Sequence, residues 1–260
     1  MTFLIKGTID HSDSVGASGR YGAGDVQWLT AGRGIEHAEL YPLLNEGARN
    51  TIELFQIWLN LPASEKMVDP YYTMLWRENI PRTLLKDDEG RTTEVVAVTG
   101  RFAGLQPPPA PPNSWASHDD ADVAIWQFMA EPSAAWTLPP TASPQTVRTL
   151  YVYDGTVQLG GKAFVGPIGL VLRSDRPVRV TAGERGVSAL VLQGRPIGEP
   201  VVMGGAYVMN DELEIQEAQR DYRDGRFGQW AWRDDAPVHS RSTERFATHP
   251  DGSSESPETV

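Results

Sequence analysis

Cysteine is absent from all 260 residues, which excludes disulfides, thiolate metal ligands and cysteine nucleophiles. Long apolar runs are also missing. No stretch approaches the roughly 20 residues that a bilayer-crossing helix needs, so no membrane partner is expected. Positive charge is scarce: Lys and Arg number 23 against 34 Asp and Glu, a formal net charge of -11. That balance repels phosphate backbones and anionic lipid and argues against direct nucleic-acid binding through a basic surface. The opening residues MTFLIKGTID carry neither a basic leader nor a small-residue cleavage site, so the expectation is a cytoplasmic protein without a secretion signal. There is no G-x-S-x-G nucleophile elbow. The glycines from Gly19 to Gly24 precede a strand rather than open a helix, which argues against a dinucleotide or phosphate loop.

What the chain has in abundance is turn chemistry. Its 25 glycines and 20 prolines punctuate short apolar stretches of strand length, among them Thr2–Ile5, Val26–Thr30, Leu54–Leu59, Val95–Val98, Val123–Met129, Leu150–Tyr153, Gly169–Leu172 and Ser188–Leu192. Many are β-branched or aromatic. Asp154-Gly155, Gly160-Gly161 and Gly22 with Gly24-Asp25 read as hairpin turns. Many short strands with frequent turns predict an all-β sandwich or barrel. A single helix is expected near the C-terminus, with Asp211 as N-cap, Glu214 completing a capping box and Gly225 ending it in a left-handed conformation. QPPPAPPNS over 106–114 cannot donate a regular ladder. It is read as the core of a proline-rich linker (106–121) between an N-terminal domain (1–105) and a C-terminal domain with its helix (122–233). Residues 234–260 are rich in Ser, Thr, Pro, Glu and Asp and are predicted to be a disordered tail.

Chemistry concentrates in residues 22–39, GAGDVQWLTAGRGIEHAE. Its four glycines, Gly22, Gly24, Gly32 and Gly34, frame a strand carrying Trp28, and His37 and Glu39 follow two apart. In extended backbone both side chains point to one face. An imidazole and a carboxylate converging inside a barrel suit a divalent ion such as iron, manganese, nickel or copper. A His-x-Glu pair taken alone is more often a surface or hydrogen-bonded pair. Of the other histidines, His11 follows a strand in an expected turn over Asp10–Ser14 and is a poor ligand candidate. His118 with Asp119 and Asp120 reads as a solvated loop, and His239 and His249 fall in the tail. The eight tryptophans read as core and interface packing, with Trp28 and Trp58 able to wall a flat aromatic ligand.

The run GDVQWLTAGRGIEHAE closely resembles the second cupin motif of the pirin family, G-D-hydrophobic-Q-W-M-T-A-G-R-G-I-x-H-S-E. EPVVMGGAYVMNDELEIQEAQRDYRDGRFG over 199–228 resembles the C-terminal pirin pattern, P-V-V-x-x-G-P-F-V-M-N followed by a capped helix and G-R-F-G. WRENIPR (76–82) and VTGRFAGL (98–105) are similar as well, so the resemblance runs from Met1 to about Gly228.

The resemblance implies a bicupin of two jelly-roll-like β-barrel domains, the first holding one metal through three histidines and a glutamate. His37 and Glu39 match the last two of those ligands. The other two belong to an early His-x-His that has no counterpart among the five histidines here. MTFLIKGTIDHSDS fits the end of that early motif, which leads to the expectation of an incomplete N-terminal barrel with an open edge and an impaired site. The competing explanations are a misassigned start, a truncated metal-free relative, or replacement of the missing ligands by other residues. The implied cofactor is one divalent ion, iron(II) first with manganese, nickel or copper as alternatives. The implied activity is oxygenation of a flavonol such as quercetin by dioxygen, with Glu39 doubling as proton acceptor. The alternative the family offers is a regulatory protein that binds protein partners without catalysis.

Overall fold

The computed structural model describes residues 1–257; the last three residues of the segment predicted to be disordered lie outside the described residues. The chain forms two compact units. The first opens with β1 (Thr2–Lys6), β2 (Thr8–Asp13), β3 (Ser18–Gly22), β4 (Val26–Thr30), β5 (His37–Leu40), β6 (Glu53–Gln56) and β7 (Tyr71–Leu75). The second holds β8 (Arg82–Lys86), β9 (Thr92–Thr99), β10 (Ala124–Ala130), β11 (Ala135–Leu138), β12 (Val147–Leu159), β13 (Lys162–Val165), β14 (Ile168–Leu172) and β15 (Val178–Gly194). From Ile197 the chain returns to the first unit with β16 (Val202–Gly204), β17 (Tyr207–Met209), α1 (Glu212–Arg223), β18 (Phe246–Thr248) and β19 (Ser254–Glu255). The all-β expectation with one C-terminal helix holds.

In the second unit one sheet runs β13-β12-β15-β10-β9-β8, with β11 also paired to β15 and β14 to β12, all antiparallel. Phe102, Trp126, Phe128, Trp136, Leu150 and Val191 centre its core, where Phe128 stacks on Trp136 with ring centroids 5.4 Å apart. Gly160-Gly161 turns β12 into β13 as its sequence predicts. Asp154-Gly155 does not turn the chain. It lies inside β12, where the register with β15 shifts on both sides of it. Gly155 takes φ +83°, and a Cβ there would meet the Gly186 carbonyl oxygen at 2.4 Å. The glycine marks a bulge and a close backbone approach, features that share its sequence cue with a hairpin turn.

The first unit contains three sheets: β6-β1-β4-β7, β19-β18-β3-β2-β5 and the two-stranded β16-β17. Leu4, Ile9, Tyr21, Tyr72, Met74 and Trp76 pack together in the core of this unit. Helix α1 begins as its sequence predicts. Asp211 accepts hydrogen bonds from the Leu213 and Glu214 amides, and the Glu214 carboxylate accepts one from the Asp211 amide. Ile215 is buried and lies against Gly204 of β16, and Gly225 ends the helix at φ +70°.

The compact units divide the chain differently from the domain plan read from sequence. The first unit takes residues 1–78, 111–115 and those from Ile197 on, and the second takes 79–110 and 116–196. β8 and β9 pair with β10 and so belong to the second unit, which moves the crossing from 105 back to Glu78. The proline-rich stretch visits both units, and α1 belongs to the first. Proline density reports where a ladder cannot form, not where a domain ends.

The tail is likewise structured as far as residue 257. β18 pairs with β3, joining Ala247 to Gly19, and β19 pairs with β18. The C-terminal segment thus extends this sheet beyond β3, and β5 remains the outer strand on the other side. A buried ion pair fastens the C-terminal segment. Arg20, only 2% exposed, donates to both Asp10 carboxylate oxygens at 2.6 and 2.7 Å. Its remaining N–H groups reach the carbonyls of His239, Ser240 and Thr243 at 2.7–3.1 Å, while the His239 amide donates to Asp10 at 2.9 Å. Arg245 adds bonds to Asp25 and Glu78 at 2.8 and 2.6 Å. Composition alone hides this, because the anchors are a few polar groups and one small apolar residue, Ala247, completely buried.

Arg20→Leu leaves the buried Asp10 carboxylate uncompensated and is expected to cost about 3–5 kcal/mol. Urea denaturation measures the loss, and limited proteolysis is expected to cut first between residues 235 and 250. Glu78 gives a second check. The hydrogen bond from Arg245 holds its carboxyl at about 2, below the ordinary 4.5. A depressed carboxyl stabilises the fold above its unfolded-state value, and that contribution fades as pH falls through 4.5 toward 2. The stability gap between the parent and Glu78→Gln is expected to shrink between pH 6.5 and pH 3; an unchanged gap refutes the role of the pair.

Candidate metal centre

Antiparallel pairing of β2 with β5 builds the site. Its register sets His11 opposite Glu39 and Asp13 opposite His37. Residues two apart on a strand share a face, and directly paired residues share it across strands. His11, Asp13, His37 and Glu39 therefore lie on one side of the sheet. One donor atom from each of His11, His37 and Glu39 falls within 4.8 Å of the others. His11 is completely buried, Glu39 partly so, and His37 lies at the exposed end.

His37 and Glu39, singled out from the sequence, are thus brought together. His11, expected in a turn, instead lies in β2 and joins the same cluster. The run Thr8–Asp13 stays extended, and the chain turns three residues later than expected, over Asp13–Ala17. There the Gly16 amide donates to the Asp13 carbonyl at 3.3 Å, and Asp13 Oδ1 accepts from the amides of Val15 and Ala17 at 3.1 and 2.8 Å. Asp and Ser favour turns through such side-chain bonds, and four of them between Asp10 and Ser14 made the strand look shorter than it is. The usable cue was period two: Asp13, His11 and Ile9 alternate with Ser12 and Asp10.

The pieces around the cluster hold it in place. Ser14 exchanges backbone bonds with the Glu36 segment, its amide donating to the Glu36 carbonyl at 2.8 Å, and its hydroxyl accepts from the Glu36 amide at 3.0 Å. The same hydroxyl donates to the Phe227 carbonyl. A Cβ on Gly34 would meet the Phe227 ring at 2.3 Å, and one on Gly228 the Ser14 carbonyl at 2.7 Å. The two motifs far apart in sequence are therefore packed against each other, with glycines where backbone and ring approach closest. Trp232 Nε1 donates to the Asp13 carbonyl at 2.8 Å.

Within the cluster, Glu39 Oε1 accepts from Thr2 Oγ1 and the Tyr21 hydroxyl at 2.9 and 3.0 Å. That concentrates the protein's bonds on one oxygen and leaves Oε2 for another partner. Burial first, then the Glu39 carboxylate, pushes the Tyr21 hydroxyl well above its ordinary range, so Tyr21 is a neutral donor. Desolvation first, then the adjacent His11 imidazole, lowers His37 below its ordinary 6.5, which favours the neutral ligating form at neutral pH. His11 Nε2 lies 3.1 Å from Asp13 Oδ2, and its ring stacks on Tyr72 with centroids 5.3 Å apart. His11 Nδ1 is buried without a partner among the described residues. An unsatisfied buried group of this kind costs about 1–3 kcal/mol.

These residues fit a divalent transition ion. Two imidazoles and a carboxylate are the donor set used by non-haem iron(II), and an ion would satisfy the orphaned Nδ1. Among the described residues no other group of three such donors is placed this way. Asp120 is taken by Arg195 at 2.6 Å. His249 meets Glu255 at 3.1 Å and the edge of Tyr72 at 5.6 Å. Trp28 is core, whereas Trp58 is 55% exposed. No helix among the described residues is long and apolar enough to cross a membrane.

Comparison with known proteins identifies the family. Residues 1–59 match the family model described as Pirin, and residues 125–228 match the Pirin C-terminal cupin domain. The chain is 35% identical over 229 residues, 87% of its length and 75% of the relative's, to a Pseudomonas aeruginosa protein named "Putative quercetin 2,3-dioxygenase PA2418". It is 31% identical to Pirin-1 of Arabidopsis thaliana, covering 88% of this chain and 74% of that one. Among solved structures, quercetin 2,3-dioxygenase from Acinetobacter baumannii superposes with a TM-score of 0.76 at 27% identity, over 88% of this chain and 75% of the other. Both long sequence patterns, the two all-β cupin units and these relatives lead to one assignment: the chain belongs to the pirin family.

Proposed function

We propose that this chain is a metal-dependent cupin oxygenase acting on flavonol-type substrates with dioxygen. The observation that carries the reading is the convergence of His37, Glu39 and His11 on one sheet face, with a buried imidazole nitrogen left for a ligand. Similarity to proteins named for quercetin 2,3-dioxygenation supports the substrate class.

His37, Glu39 and His11 would hold the ion, with iron(II) the first choice for two imidazoles and a carboxylate. When bound, such an ion supplies Lewis acidity toward a substrate oxygen and reactivity with dioxygen. The rest falls to the chain itself. Glu39 accepts the proton of the substrate hydroxyl at Oε2, because Thr2 and Tyr21 already hold Oε1 in place. Tyr21 stays protonated and keeps the carboxylate oriented through the transfer. Tyr72, stacked on His11, closes the buried side of the cluster and keeps water from that imidazole. A positioned general base contributes typically 10²–10⁴-fold.

Oxygen uptake with quercetin after loading with iron(II), manganese(II) or nickel(II) tests the reading. Turnover above the metal-free chain is expected, and Glu39→Gln is expected to lower kcat by at least about 100-fold. A chain that binds one ion yet consumes no oxygen with any flavonol overturns the catalytic reading and leaves the non-catalytic, protein-binding role as its replacement.

A further inference from the structure

We propose that His11 is a metal ligand of this chain through Nδ1, and that Asp13 is the positioning residue that sets its tautomer. This rests on the metal-centre reading above and deepens it. The two family histidines implied by resemblance, an early His-x-His, are not found anywhere among the five histidines at 11, 37, 118, 239 and 249. The donor proposed here comes from a different strand position, opposite Glu39 in the β2–β5 ladder.

Three observations carry it. First, His11 reaches the cluster through register, and one of its ring nitrogens lies within 4.8 Å of a donor atom of His37 and of Glu39. Second, its two ring nitrogens are treated differently. Nε2 meets Asp13 Oδ2 at 3.1 Å, whereas Nδ1 has no partner among the described residues although the side chain is completely buried. One nitrogen is thus held by a carboxylate while the other is left available to a ligand. Third, Asp13 cannot move to serve another role. Its Oδ1 accepts from the amides of Val15 and Ala17, so Oδ2 stays aimed at His11.

A carboxylate facing Nε2 places the ring proton there and leaves the Nδ1 lone pair free, the tautomer being assigned from this hydrogen-bond pattern. Carboxylate–imidazole–metal relays of this kind are how ligating histidines are commonly oriented and made more basic. Glu39 and Asp13 also supply two carboxyl groups at the cluster, which suits a doubly charged ion. The result is a donor set of two imidazoles and one carboxylate, with a second carboxylate behind it.

The test uses the full chain, stripped with a chelator and titrated with cobalt(II). Binding is followed by calorimetry, by elemental analysis and by the visible cobalt spectrum, which reports the ligands directly. One ion per chain is expected. His11→Gln, which can still donate to Asp13 and fill the space, is expected to weaken binding by at least 100-fold and to change the cobalt bands, as is His37→Ala. Asp13→Asn is expected to weaken binding by about 10–100-fold. Circular dichroism and the metal-free Tm show that each variant folds. If His11→Gln binds as tightly as the parent with an unchanged spectrum while His37→Ala does not bind, the His11 assignment is overturned and the metal centre stands. If Asp13→Asn leaves affinity unchanged, its positioning role is overturned. If the parent binds no cobalt, nickel or iron, the metal-centre reading falls with it.

Discussion

The antiparallel register between β2 and β5 is the constraint on which the site depends. Side chains alternate along a strand, so a slip of one residue would send His37 and Glu39 to the opposite face and leave Ala38 and Leu40 in their place. Hydrogen bonds of the ladder alone do not forbid that slip. What forbids it is local chemistry at the open end of the pair. Asp13 closes a tight turn on one side, and Ser14 bonds to Glu36, just before β5, and to the Phe227 carbonyl. Gly34 leaves room for the Phe227 ring to sit where any side chain would collide with it. The donors converge because a hydroxyl, an aspartate and two glycines permit one alignment.

A second feature is the dependence of the first unit on residues from the far end of the chain. Arg20 and Asp10 are charges taken fully out of water, an arrangement that is costly unless every donor is used. Here every guanidinium nitrogen finds an oxygen, three of them backbone carbonyls of the C-terminal segment. The pair thus specifies which segment lies against β3, in a way that an apolar contact of the same size would not. Asp10 also neighbours His11 in sequence on the opposite face of β2, so one strand presents a structural ion pair to one side and the candidate metal donors to the other.

Sequence reading reached much of this. Strand length, turn residues and the capping box around Asp211 identified an all-β chain with one helix, and the spacing of His37 and Glu39 pointed to a shared face. The misses have physical causes. Asp10, Ser12, Asp13 and Ser14 are turn formers by propensity, yet pairing on both sides, with β3 and with β5, outweighs that preference and keeps His11 extended. The C-terminal segment has a solvent-like composition, yet a handful of bonds to Arg20 and Asp25 hold it, and such long-range bonds leave no local pattern. Gly155 shows the converse: a turn-like dipeptide inside a long strand, where the missing side chain serves close contact with Gly186.

The clasp between Ser14 and Phe227, together with the indole bond from Trp232 to Asp13, has a consequence for how the molecule is made. A ribosome delivers Ser14 some two hundred residues before the partners that lock it, and domains ordinarily mature in the order of their synthesis. In this chain the contacts of Asp13 and Ser14 span the whole second unit, whose own strands lie in one continuous stretch of sequence between them. The surroundings of the donor cluster are therefore complete only once Phe227 and Trp232 have joined the first unit.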